Sequence, residues 1–308
     1  HQRRHAMTLR PRELPKRRNQ LLKHLTDPQA PLRTRTGEDA APGLDALARH
    51  LRAAELYWVA APMAALAVSA GAQLDEVDAA VETRPSGCGW IYYQDGIGDL
   101  PLPYGMCVAA VNGGPDRVPI TSAPVSALSW GPYEGQVLVW AMVDRSWLRD
   151  EFDRHGAELI TSTVPPLVPI VGATMPLDPV SPDITRLPEV IVRALVASWH
   201  LMQQPRLADR SQVRPDKSVR SVTQRLGMPD PEVTVIGLRR RYAPDTREET
   251  GTASGRRYKH RWVVSGHWRN QPYGPGRSLR RQQWIPAYVK GPDDAPLLVT
   301  ERVNVWRR

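Results

Sequence analysis

Residues 258–292 read YKHRWVVSGHWRNQPYGPGRSLRRQQWIPAYVKGP. Two stretches rich in aromatic and β-branched residues, 258–268 and 283–289, lie on either side of a Gly-Pro-Gly run at 274–276. This pattern predicts two strands with a turn between them. Basic residues are interleaved with Trp and Tyr throughout the segment. The mixture favours a β-rich region whose surface binds an anionic polymer that carries planar groups.

Alternate residues of the predicted strand 258–268 divide between two faces. One face carries Tyr258, His260, Trp262, Val264 and Trp268, and the other carries Lys259, Arg261, Val263, His267 and, beyond the strand, Arg269. The aromatic face is typical of core. A basic face that is merely solvated usually mixes both signs, yet no acid occurs between Glu249 and Asp293. We therefore expect the basic face to bind an anion.

The predicted nucleic-acid-binding residues are the cations and rings of this region. A Gly-rich turn also lets backbone amides approach an anion closely. Trp268, Tyr273 and Trp284 are predicted to stack on bases if they are exposed. The full set is Arg239, Arg240, Arg241, Lys259, Arg261, His267, Trp268, Arg269, Tyr273, Arg277, Arg280, Arg281 and Trp284.

Charge is distributed unevenly along the 308 residues, whose net charge is +9. Residues 1–25 carry a net charge of +7, residues 26–238 a net charge of −8, and residues 239–308 a net charge of +10. Such asymmetry indicates polyanionic partners. The predicted organisation is a basic disordered arm at 1–43, an α/β domain at 44–205 and a basic β-rich domain at 206–308. The fold class is therefore predicted to be α+β, with an acidic N-terminal α/β region followed by a smaller basic, β-rich C-terminal region.

Hydrophobic periodicity predicts the elements of both regions. Helices are expected at 44–55, 63–74, 145–155, 189–203 and 218–226. Strands are expected at 57–59, 88–93, 106–111, 118–130, 136–143, 233–238, 258–268, 283–289 and 302–306. A helix-turn-helix over 219–241 is a weaker alternative, since Pro229, Pro231 and the β-branched run from Val233 oppose a second helix.

The sequence leaves an enzymatic function open. It contains no phosphate-binding loop, dinucleotide fingerprint or metal-ligand spacing, so no cofactor and no metal are predicted. Nuclease chemistry in the basic region would have to use His260 or His267 as general base. Arg84 and Ser86, in the loop before the strand at 88–93, are the candidates for a ligand-binding loop. Convergence of these residues with Tyr57 and a carboxylate would favour an enzyme.

Two cysteines, Cys88 and Cys107, make no disulfide framework, which favours a reducing compartment. No apolar run follows the basic N-terminus before Leu44, so no signal peptide is predicted, and Met7 is a candidate start residue. No stretch approaches the length of a membrane span. The expected location is the cytoplasm, without a membrane partner.

The segments SGHWRNQPYGPGR (265–277) and WIPAYVKGP (284–292) resemble a C-terminal segment of a family of proteins encoded by actinobacterial chromosomes, plasmids and phages. ELYWVAAPMAALA (55–67) and RPSGCGWIYYQDGIG (84–98) are also similar to segments of that family. The resemblance covers most of the chain from about residue 44. It implies a cytoplasmic setting associated with mobile elements and carries no particular activity.

The leading hypothesis is a nucleic-acid-binding protein of a mobile genetic element, with DNA or RNA as partner. One alternative is a toxin- or defence-like enzyme, either a metal-independent nuclease or a nucleotide-dependent transferase. Another is an accessory protein that binds an acidic partner protein. The sequence does not decide among DNA, RNA and protein.

Overall fold

A computed structural model describes residues 9–34, 40–75, 77, 80, 82–102, 106–107, 117–118, 120–176, 187–239 and 262–290. The chain divides into two compact units, His1–Arg239 and Arg240–Arg308. Helices and a mixed sheet are both present, so the predicted α+β class is confirmed.

The described helices are α1 Leu14–Thr26, α2 Pro31–Thr34, α3 Ala41–Ala53, α4 Ala61–Gly71, α5 Arg145–Arg154, α6 Glu189–Met202 and α7 Lys217–Arg225. The strands of the first unit are β1 Glu55–Val59, β2 Gly89–Tyr93, β3 Asp99–Pro101, β4 Met106–Cys107, β5 Arg117–Val118, β6 Ser122–Pro124, β7 Ala127–Tyr133, β8 Gln136–Asp144, β9 Leu167–Pro176, β10 Ala208–Val213 and β11 Val233–Leu238. Those of the second unit are β12 Trp262–Val264, β13 His267–Tyr273, β14 Leu279–Ile285 and β15 Tyr288–Lys290.

A seven-stranded sheet forms the centre of the first unit, in the order β10-β11-β1-β2-β7-β8-β9. β1 runs parallel to both β2 and β11, and the other neighbours are antiparallel. Because side chains alternate along each strand, residues such as Trp58, Trp90 and Trp140 share one face, which packs with leucines of α1 and α3. The opposite face meets α6, where the Tyr93 hydroxyl lies 3.0 Å from Ser198 Oγ.

The N-terminal segment differs from the predicted disordered arm. Helix α1 buries Leu14, Leu21 and Leu25 completely, and Asn19 Nδ2 donates a 2.9 Å hydrogen bond to Thr223 Oγ1 of α7. The sequence prediction failed because Arg18 interrupts this apolar face. Arg18 is only 2% exposed, burial lowers its pKa to about 10, and its Nε and Nη2 have no hydrogen-bond partner within the described residues.

The predicted domain boundary at 205/206 also differs from the structure. Strands β10 and β11 belong to the central sheet, where β11 pairs in parallel with β1, nearly 180 residues earlier in the sequence. Pairing between distant segments leaves no local pattern in the sequence. The change in charge along the chain is visible in the sequence, and the predicted boundary relied on it. The division of the chain lies instead at 239/240.

Most predicted elements of the first unit occur within a few residues of their expected bounds. The long strand expected at 118–130 is instead β5, β6 and β7 as separate strands. The helix-turn-helix alternative is wrong, because α7 is followed by β11 and not by a second helix. The strand expected at 302–306 lies outside the described residues.

His50 of α3 gives the first unit a dependence on pH. Its side chain is 3% exposed, Nε2 lies 2.9 Å from the Pro132 carbonyl oxygen, and Nδ1 is buried with no hydrogen-bond partner in the described part of the chain. Nε2 must therefore carry the proton, since a carbonyl can only accept. Burial lowers the pKa of His50 below its ordinary value of 6.5, although the hydrogen bond to Pro132 opposes the shift.

We expect the first unit to lose stability as pH falls below about 6.5. Below that value the unfolded chain binds a proton that the folded chain does not, so the free energy of unfolding decreases as the pH falls. His50→Gln keeps a donor for Pro132 but does not titrate, and it should weaken this dependence. Urea denaturation of both proteins between pH 7.5 and 5 measures the effect. Parallel curves for wild type and variant would show that His50 is not its source.

Candidate nucleic-acid interface

Strands β13 and β14 form an antiparallel hairpin that contains most of the described candidate residues. The register pairs His267 with Ile285 and Tyr273 with Leu279. The strand predicted to run unbroken over 258–268 ends at β12, and β13 begins after Gly266. A Cβ atom at Gly266 would lie 2.5 Å from Trp284 Cζ2, so glycine is needed where the chain passes this indole.

The hairpin turn has an unusual backbone. Gly274 and Gly276 have φ values of 77° and 60°, which glycine adopts without steric cost. Arg277 also has a positive φ, 56°, a conformation that costs a non-glycine residue roughly 1 kcal/mol or more. Arg280 Nη1 donates to the carbonyl oxygens of Arg277 and Leu279, at 2.7 and 3.2 Å, which holds its guanidinium against the turn.

One face of the hairpin combines exposed cations with an exposed ring. We define the cationic face as the exposed residues His267, Arg269, Tyr273, Leu279 and Arg281. The Arg281 guanidinium carbon lies 5.4 Å from the centroid of the Tyr273 ring, a cation–π distance. Tyr273 is 40% exposed, so its ring is accessible to a partner.

The opposite face of the hairpin is packed and holds two of the candidate rings. Trp268 and Trp284 are cross-strand partners with ring centroids 5.2 Å apart at 69°, an edge-to-face contact. Trp284 is only 4% exposed. It is therefore a packing residue of the hairpin, and the exposure on which its predicted stacking depends is not met. Trp268 is half-buried against it.

The described part of the second unit carries charge of one sign. Residues 262–290 contain four arginines and one lysine but no Asp or Glu. Arg277, Arg280 and Arg281 are all exposed and lie within five consecutive residues of the turn and β14. The hairpin therefore presents uncompensated positive charge beside Tyr273, an arrangement that can contact phosphates and stack on a base.

The remaining candidate residues lie outside the hairpin. Arg240, Arg241, Lys259 and Arg261 lie outside the described residues. His260, the other candidate base, lies there as well. Arg239 belongs to the first unit, where it is exposed and its Nε donates to the Ala208 carbonyl oxygen at 3.3 Å.

Two of the residues that would favour an enzyme do come together with a carboxylate: the buried phenol of Tyr57 contacts the side chains of both Ser86 and Glu55. The Tyr57 hydroxyl donates to Glu55 Oε2 at 2.7 Å, so the phenol does meet a carboxylate, but Tyr57 is fully buried. Burial raises the pKa of Tyr57 above its ordinary range. Ser86 Oγ donates to the Cys88 carbonyl oxygen at 2.8 Å, and Arg84 is 8% exposed with Nε 3.4 Å from the Ala80 oxygen. These contacts hold the segment that leads into β2.

Within the part of the chain that the structure describes, no group of three or more His, Cys, Asp or Glu could hold a metal ion. A search of the same residues finds no helix with the length and apolar character of a membrane span.

The comparison with protein families gives one match. A family model described as AcrVA2-like, the anti-CRISPR type V subtype A2 family, matches residues 151–291, which are 141 of the 308 residues. The matched segment begins within α5 and includes the hairpin. No curated protein matches the chain. The match supports the association with phages or other mobile elements that the sequence resemblance implied.

A second cluster of polar residues escaped the sequence analysis. A cleft in the first unit brings Arg17 of α1 beside Arg145 and Arg149 of α5. These arginines are separated by more than 120 positions, and α1 was predicted to be part of a disordered arm. Only the tertiary contact between the two helices reveals the cluster.

Proposed function

We propose that this chain is an anti-CRISPR-like protein of a mobile element and that its second unit binds nucleic acid through the hairpin of β13 and β14. The observation that carries the proposal is the cationic face, where exposed Arg281 lies over exposed Tyr273 and no acid occurs nearby in the sequence. The family match supports the setting.

Single-stranded nucleic acid is the partner that this surface suits best. A two-stranded hairpin offers one exposed ring flanked by cations, which matches an unpaired base with its neighbouring phosphates. RNA and DNA both provide these groups, so the proposal covers both. The protein would act in the cytoplasm, where such targets of a CRISPR system occur.

Binding is tested by fluorescence anisotropy with labelled 20-nucleotide RNA and DNA, single- and double-stranded, over 50–300 mM salt. We expect the affinity to fall steeply with salt, by about 0.7 to 0.9 log units per phosphate contact for each log unit of salt. A wild-type protein that binds none of these probes at 50 mM salt would refute the nucleic-acid proposal. The anti-CRISPR component is tested separately, by plasmid transformation into bacteria carrying a type V CRISPR system that targets the plasmid. Expression of the chain should restore transformation.

Tyr273 is expected to contribute stacking energy rather than charge. Tyr273→Ala should weaken binding to single strands by about 1–2 kcal/mol with little change in the salt slope, because a ring stacks on a base without neutralising a phosphate. Tyr273→Phe should retain most of the affinity. Leu279→Ala is the matched control, since Leu279 is the cross-strand neighbour and is 49% exposed.

An acidic protein partner would give a different result. The carboxylates of such a partner would pair with the arginines and would not need the Tyr273 ring. If the cationic face serves that purpose, Tyr273→Ala should weaken nucleic-acid binding no more than Leu279→Ala does. That outcome would remove the stacking component of the proposal.

A further inference from the structure

The first unit contains a cleft of about 200 Å³ between the start of α1, the start of α5 and the segment before β9. Its apolar walls are Leu9, Pro166 and Leu167. Three arginines, Arg17, Arg145 and Arg149, supply its positive charge, and Glu13 and Asp144 supply the carboxylates.

Both carboxylates are committed to contacts within their own segments. Glu13 Oε2 accepts hydrogen bonds from the backbone nitrogen and Nε of Arg10, at 3.0 and 3.4 Å. Asp144 Oδ1 accepts from the backbone nitrogen and hydroxyl of Ser146, at 2.7 and 2.6 Å, and so caps α5. Burial alone would raise the pKa of Glu13, but the hydrogen bonds from Arg10 outweigh it and lower that pKa. Within the described residues neither acid forms an ion pair with an arginine of the cleft, although the charge of Arg17 contributes to the lowered pKa of Glu13.

The arginines differ in how they are held. Arg145 Nη1 donates to the Thr161 and Val164 carbonyl oxygens, both at 2.7 Å, which fixes the guanidinium in the wall and leaves its other nitrogens without a partner in the described residues. Arg149 pairs with Asp150 at 2.8 Å. Arg17 makes no hydrogen bond or ion pair with any residue that the structure describes.

Arg17 and Arg145 lie close enough to repel each other. Burial lowers the pKa of Arg145, and the charge of Arg17 lowers it further, while the charge of Asp144 partly opposes both. An anion between two half-buried guanidiniums would remove this repulsion.

We propose that this cleft binds a phosphate group between the side chains of Arg17 and Arg145. A guanidinium can donate two parallel hydrogen bonds to two oxygens of a phosphate. A phosphate dianion can also balance the charge of two arginines, whereas a carboxylate balances only one. The cleft has no aromatic residue in its lining, so the phosphate itself is recognised rather than a base. The group could come from inorganic phosphate, a nucleotide or the end of a nucleic acid. This site is separate from the hairpin and does not depend on the proposed function.

Isothermal titration of the full chain with inorganic phosphate, at fixed ionic strength set with chloride, tests the proposal. We expect saturable binding that weakens at least tenfold in Arg17→Gln. Arg12→Gln is the matched control, since Arg12 is an exposed arginine near the start of α1 that does not line the cleft, and it should bind like wild type. Circular dichroism confirms that Arg17→Gln is folded.

Two further probes identify the source of the phosphate. A nucleoside 5′-monophosphate that binds like inorganic phosphate indicates a free anion, whereas tighter binding of a trinucleotide with a 5′-phosphate than of the same trinucleotide with a 5′-hydroxyl indicates a nucleic-acid end. Either result supports the site. Absence of saturable binding by all phosphate probes, or equal binding by wild type and a folded Arg17→Gln protein, overturns it.

Discussion

Replacing Gly89 by alanine should lower the free energy of unfolding of the first unit by about 3 kcal/mol or more, at the upper end of the usual cost of overpacking. A Cβ atom at position 89 would lie 2.1 Å from Cζ2 of Trp130, its cross-strand neighbour. The indole lies across β2 because glycine leaves that space open. Urea denaturation followed by circular dichroism measures the loss.

Trp130 cannot easily move aside. Its side chain is fully buried and stacks on Tyr57 at 5.8 Å, meets Trp199 edge to face at 5.3 Å, and donates from Nε1 to the Ser86 carbonyl oxygen at 3.0 Å. Relief of the clash would break at least one of these contacts.

Gly87 provides the matched control for this substitution. It is exposed, and a Cβ atom there would meet nothing within 4 Å, so Gly87→Ala should be nearly neutral. In a Trp130→Ala background the cost of Gly89→Ala should shrink, because the atoms that clash are gone. Equal costs in both backgrounds would show that the indole is not the cause.

The sequence predicted those parts of the fold that depend on local pattern. The apolar spacing of α6 and the aromatic run of β1 gave both elements to within two residues. Gly89 was predicted to lie in the strand at 88–93, but the need for glycine there arises from Trp130, forty-one positions away. No local pattern could report it.

Charge was a reliable guide to exposure in the hairpin and a misleading one in α1. Arg269, Arg280 and Arg281 are exposed, as the one-sided charge predicted. In α1, four basic residues in the helix obscured the leucine spacing, although Arg18 itself is buried. Trp284 was a candidate for base stacking if exposed, and its cross-strand contact with Trp268 places it in the packed face.

The second large effect is expected in nucleic-acid binding. Replacing Arg277, Arg280 and Arg281 together by alanine removes three exposed cations, and residues 262–290 contain no acid that could neutralise them. If each arginine contacts one phosphate, the slope of log affinity against log salt should flatten by about 2 on a single strand. At about 0.1 M salt the affinity should then fall roughly 100-fold.

The hairpin should remain folded in this variant. The three guanidiniums are exposed, and the packing of Trp284 against Trp268 and Gly266 lies away from the turn. Arg280→Ala loses only hydrogen bonds to turn carbonyls that solvent can replace. Near-ultraviolet circular dichroism, to which the tryptophan pair contributes, should be unchanged in the variant, and this separates a loss of binding from a loss of structure.

A matched control must remove the same charge from elsewhere. Arg12, Arg49 and Arg225 are exposed arginines of the first unit, and their joint replacement by alanine lowers the net charge of the chain equally. If binding depends on total charge alone, both triple variants should lose affinity and slope to the same extent, and the hairpin would lose its assignment as the interface. If the hairpin is the interface, only its own variant should flatten the slope, because counterions are released where phosphates are contacted and not where the protein is merely basic.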